Sequence, residues 1–125
     1  MKTLDQPAGP VVAPETVANR ERTNREFVER HLGDDDGLLL AHLHIDTLRP
    51  WTEDQLRSRG WTLGFYNIER GDAAGQLAYE DSLMATAEYA QSQVLRFDAT
   101  TDPAALGAAA YHVFAILCVL YEGER

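Results

Sequence analysis

The stretch that most constrains this chain is its last one, PAALGAAAYHVFAILCVLYEGER, from Pro103 to Arg125. Between Ala104 and Tyr121 only His112 carries a strongly polar side chain. A helix with no polar face is covered on all sides or lies in a bilayer. The apolar run, about 18 residues, stands at the lower limit for a membrane span. Its flanks are Asp98, Asp102, Glu122 and Glu124, with Arg125 the only nearby positive charge, and His112 sits near its middle. Those features argue against membrane insertion. The expectation is a helix covered on one side by its neighbour in sequence. Its other side is expected to meet an identical chain (a homo-oligomer), a different protein, or a missing C-terminal portion of the same polypeptide.

The neighbour is readable. From about Leu77 to Phe97 the apolar positions Leu83, Ala87, Ala90, Val94 and Phe97 recur at helical spacing, and Leu106, Ala110, Val113, Leu117 and Leu120 repeat the pattern. DATTDP lies between them, with Asp102 placed to cap and Pro103 at the first helical position. So short a connection predicts an antiparallel αα-hairpin, with the two stripes facing each other.

Upstream, residues 1–14 hold Pro7, Pro10 and Pro14 without periodicity and read as a flexible N-terminal arm. Residues 15–125 read as one helical domain. Glu15 to about His31 is helical in composition, its thin apolar stripe formed by Val17, Phe27 and Val28, and Gly33 is its stop. GDDDG, Gly33 to Gly37, is a turn whose aspartates suit a helix cap or a cation, without the alternating spacing of a calcium loop. LLLAHLHIDTL, Leu38 to Leu48, fits a buried helix by its Leu and Ala content, whereas a strand would put His42 and His44 on one face. We favour the helix, because no other segment offers a partner strand. Thr52 and Gln55 form a T-x-x-Q capping box for a short helix ending before Gly60. Gly60 to Gly75 is a long connection bearing Trp61, Phe65 and Tyr66, of a kind that usually binds something or braces a site. The fold class is therefore all-α, built of antiparallel helical hairpins.

Charge excludes some roles. A net charge of −9 argues against nucleic-acid binding, which needs clustered Lys and Arg. Arg20, Arg22, Arg25 and Arg30 do gather, but Glu21, Glu26 and Glu29 are interleaved with them, as on a solvated helix face. Cys118 is the only cysteine, so no internal disulfide and no zinc–cysteine cluster can form. No secretory pattern opens the chain, so a cytoplasmic location is expected.

Ala78 to Glu124, AYEDSLMATAEYAQSQVLRFDATTDPAALGAAAYHVFAILCVLYEGE, resembles one repeat of the (α/α) toroids called six-hairpin glycosidases. There a helix ending in Arg-aromatic meets a TGDP-like turn and an Ala/Leu-rich helix. Here the turn is Thr100-Thr101-Asp102-Pro103, with Thr in place of Gly. The resemblance implies the N-terminal part of a carbohydrate-processing enzyme that is inactive as this chain alone, because six hairpins need far more than 125 residues. It carries over no catalytic residue.

Candidate chemistry is sparse. Glu80, Asp81 and Glu88 on one helix offer the carboxylates that glycosidic cleavage requires. Equally, Glu80 and Asp81 complement a helix N-terminus. Trp51, Trp61 and Tyr66 have flat faces suited to a pyranose, with Asn67 and Glu69 as polar partners; the alternative is that the rings fill core. His42, His44 and Asp46 would share a strand face and could hold a metal. On a helix only His42 and Asp46 come together, as a hydrogen-bonded pair. With the helix favoured, we expect no metal, and no cofactor motif is present.

Overall fold

A computed structural model describes residues 11–60 and 73–122. They are all-α: α1 (Pro14–Phe27) runs into a π-helical turn (Val28–Leu32), followed by α2 (Glu53–Ser58), α3 (Ala73–Tyr79), α4 (Ser82–Thr100) and α5 (Pro103–Glu122). The helix expected to end at Gly33 does so, with Gly33 extended and its N–H on the Val28 carbonyl. The capping box of α2 is complete: Gln55 N–H donates to Thr52 Oγ1 and Thr52 N–H to Gln55 Oε1. Leu56, Ala73 and Leu77 bring α2 and α3 together in a small core against which Trp51 packs.

Leu38 to Leu48 is not a helix. It is extended and irregular, with one isolated antiparallel bridge between Gly33 and Leu39. Leucine content favoured the helix, but the segment's polar backbone finds its partners elsewhere. Leu39 N–H donates to Thr86 Oγ1 at 2.9 Å and Leu39 C=O accepts from Ser82 Oγ. Leu40 N–H donates to Leu32 C=O and Ala41 N–H to Ala78 C=O. With those bonds made from outside, the segment buries Leu39 and Leu40 without an internal ladder.

The helix expected from Leu77 to Phe97 is two helices. Asp81 adopts a left-handed conformation (φ 55°) and separates α3 from α4. The downstream hairpin forms as expected. Thr101, also left-handed, closes α4 with its N–H on Phe97 C=O, and Asp102 Oδ1 accepts from Ala104 N–H at the start of α5.

What packs between α4 and α5 is a correction of larger consequence. The buried residues are Ser82, Thr86, Ala90 and Gln93 on α4, and Ala105, Ala109, His112 and Ala115 on α5. Of the two expected stripes only Ala90 belongs to this seam. Small side chains let two helix backbones approach closely, which a stripe of leucines would prevent. Leu83, Val94, Leu106, Val113, Leu117 and Leu120 remain exposed.

Candidate functional site

The displaced stripes form a surface of their own. At about 100° per residue, Leu106, Val113, Leu117 and Leu120 lie on one flank of the α5 seam, and Leu83, Ala87 and Val94 on one flank of the α4 seam. Because the helices run antiparallel, those two flanks fall on the same side of the hairpin. The opposite side is covered. There Leu39 meets Ser82 and Thr86, Gly37 C=O accepts from His112 Nδ1 at 2.7 Å, and Tyr89 Oη donates to Glu29 at 3.0 Å. Arg96 also reaches Glu21, at 3.8 Å. The hairpin thus has a clothed side and a bare apolar side. On α5 eight large apolar side chains stay between 38 and 74% exposed: Leu106, Tyr111, Val113, Phe114, Leu117, Val119, Leu120 and Tyr121. By length and composition α5 would also suffice to cross a membrane.

A second feature is an open cleft of about 980 Å³ at the junction of the π turn, the segment after it and α3. Arg30, His31, Asp34, Arg49, Trp51 and Tyr79 are among the residues lining it. Asp34 is fully engaged: Oδ1 accepts from the N–H groups of Asp36 and Leu38, and Oδ2 from Tyr79 Oη at 2.9 Å. Burial, reinforced by that carboxylate, raises the Tyr79 pKa above the ordinary value of 10.0. Of the three GDDDG aspartates, Asp34 thus caps no helix; its carboxylate folds its own turn and binds Tyr79.

The carboxylates proposed for catalysis do not converge. Glu80 lies before the left-handed break and pairs with His42 Nε2 at 3.3 Å, Asp81 is the break itself, and Glu88 is exposed beyond it on α4. Glu80 and Glu88 thus share neither helix nor face. His42 pairs with Glu80 instead of Asp46. His44 is buried edge-on against Trp51, ring centroids 4.6 Å apart, and its Nδ1 accepts from Asp46 N–H. Among the described residues no three His, Cys, Asp or Glu side chains gather as metal ligands. Trp51 is half-buried and reaches the cleft. Trp61, Phe65, Tyr66, Asn67 and Glu69 lie outside the described residues.

Sequence reasoning missed Arg30, Arg49 and Tyr79 in the cleft, and Thr86 and His112 in the seam. The seam had a signal, the four-residue spacings Ser82–Thr86–Ala90 and Ala105–Ala109, which the stronger leucine pattern obscured. No family model, curated protein or solved structure matches the chain.

Proposed function

We propose that this chain is a helical interaction module that pairs with a second copy of itself through the bare side of the α4–α5 hairpin. One observation carries the reading: Leu83, Val94, Leu106, Val113, Leu117 and Leu120 form two side-by-side apolar stripes that α4–α5 packing leaves uncovered. Two such hairpins laid face to face make a four-helix bundle with a leucine-rich core. A specific interface buries roughly 800 Å² per partner, and on the bare side Leu83, Val94, Leu106, Val113, Leu117 and Leu120, each 38–54% exposed, are the large side chains available to it. The chain's charge of −9 would ordinarily oppose self-association, but no Asp, Glu, Lys or Arg lies between Pro103 and Tyr121. Sedimentation equilibrium tests the proposal. The expected result is a dimer that becomes a folded monomer in the double variant Val113→Glu, Leu117→Glu, with helical circular dichroism unchanged. A wild-type monomer at high concentration, or partition into detergent micelles, overturns it.

A second reading draws on the resemblance to six-hairpin glycosidases. Side-by-side apolar stripes are also what a hairpin inside a larger (α/α) toroid would present, with further hairpins of one polypeptide taking the place of the second copy. In that reading the protein takes part in glycan processing, and Trp51 is its candidate sugar platform. A monomer whose bare face binds a hydrophobic dye stoichiometrically supports this reading over the dimer.

A further inference from the structure

We infer that the cleft beside Trp51 is a binding site for a carboxylated sugar, with Arg30 and Arg49 holding the carboxylate and the indole carrying the ring. The sugar part rests on the glycan reading above; the carboxylate part rests on the cleft alone.

Two local departures from regular structure and two arginines unpaired among the described residues meet there. The π turn Val28–Leu32 widens the end of α1 and shifts Arg30 and His31 out of the helix's register, onto the cleft wall. Such turns are rare, and they are frequent at functional sites. Leu48, next to Arg49, has φ 53°, a left-handed conformation that a bulky side chain adopts only when its surroundings enforce it. The enforcement is visible: Leu48 N–H donates to His44 C=O, and His44 N–H donates to Arg49 C=O, both at 2.8 Å. That closed loop fixes Arg49 and Pro50 ahead of Trp51. Finally, the guanidinium groups of Arg30 and Arg49 make no ion pair or hydrogen bond among the described residues, although acidic side chains outnumber basic ones 20 to 11.

The balance of charge selects the ligand. Asp34 and Asp35 line the same cleft, so two carboxylates offset two guanidiniums and a dianionic phosphate gains little there. Asp34 is held by its three donors and does not turn toward the arginines. A monoanionic carboxylate can take the forked N–H groups of one arginine in two parallel bonds while the second adds charge. Trp51, backed by Leu56, Ala73 and Leu77 and braced edge-on by His44, is a rigid platform for the apolar face of a pyranose.

The test uses the full chain with Trp61→Phe, so that Trp51 is the sole tryptophan, and follows its fluorescence on adding D-glucuronate, D-glucose or acetate. The expected result is saturable quenching by glucuronate, with glucose and acetate each at least about tenfold weaker. Arg30→Gln and Arg49→Gln, both at exposed positions, are each expected to weaken glucuronate on the order of tenfold, the worth of one charge-assisted contact. Equal binding of glucose and glucuronate overturns the carboxylate site and leaves the glycan reading standing. Equal binding of acetate and glucuronate removes the sugar from the assignment. Absence of any saturable response removes both.

Discussion

At the scale of single residues, His112 ties the hairpin to the rest of the chain. Its ring is buried at 6% exposure in the α4–α5 seam, edge-on to Tyr89 and Tyr111, and its Nδ1 lies 2.7 Å from Gly37 C=O. A carbonyl can only accept, so Nδ1 carries the proton. Gly37 is bound to its place by conformation and space: φ is 93°, and a Cβ there would come within 3.0 Å of the Tyr111 ring and 3.1 Å of Ala115 Cβ. His112→Ala removes the donor, strands a buried carbonyl and opens a void. The expected loss is about 2–4 kcal/mol, read as a lower urea midpoint. Tyr89 makes the neighbouring tie, donating to Glu29. Burial and then that carboxylate push its pKa well above the ordinary 10.0. Unfolding lets the phenol ionise at its ordinary value, so this contribution is intact below pH 10 and declines as pH rises beyond it. Stability measured from pH 9 to 11 (roughly one unit either side of the unfolded phenol's pKa) should fall with a slope that Tyr89→Phe reduces. An unchanged slope would mean that Tyr89 is not protected from ionising.

At the scale of elements, the terminal signals of the sequence are sound and the phase of its apolar stripes misleads. Asp102-Pro103 and the Thr52–Gln55 box act through neighbours a few residues away, so they are legible in one dimension. Which face of α4 meets α5 is a matter between distant residues. Leucine periodicity marks an apolar face without saying what covers it, and here the helices meet through alanine, serine, threonine and histidine. The same limit explains Leu38–Leu48: its helix-forming composition is overruled by bonds to Ser82, Thr86 and Ala78, about forty residues later. The break at Asp81 follows from the same packing, since Ala78 C=O and Ser82 Oγ are engaged by that segment. The seam can be tested against the stripe. Ala109, 4% exposed, faces α4, so Ala109→Leu should force the helices apart and cost about 1–3 kcal/mol. Val113→Ala on the bare flank should cost less in a monomer, because its side chain is already 44% exposed. Equal losses at the two sites under dilute conditions would restore the leucine stripes to the α4–α5 contact.

At the scale of the whole molecule, the described residues join a small α2–α3 core to a long hairpin through one extended segment. The arrangement is lopsided. The clothed side of the hairpin carries the polar ties, Tyr89–Glu29 and His112–Gly37, while the bare side carries most of its large aliphatic side chains. A chain with its bulkiest apolar residues outside its own core gains less from folding alone than its composition allows, since transfer from water contributes about 25 cal/mol per Å² only where area is buried. Pairing would supply the remainder, and stability would then depend on concentration through mass action. Thermal unfolding followed by circular dichroism should therefore show a midpoint that rises with protein concentration. In Val113→Glu, Leu117→Glu the midpoint should be lower and independent of concentration, because two carboxylates in the stripe prevent pairing without touching the small-residue seam. A wild-type midpoint that does not move with concentration would place the stabilising contacts of the hairpin within one chain, and the bare face would then require an occupant other than a second copy.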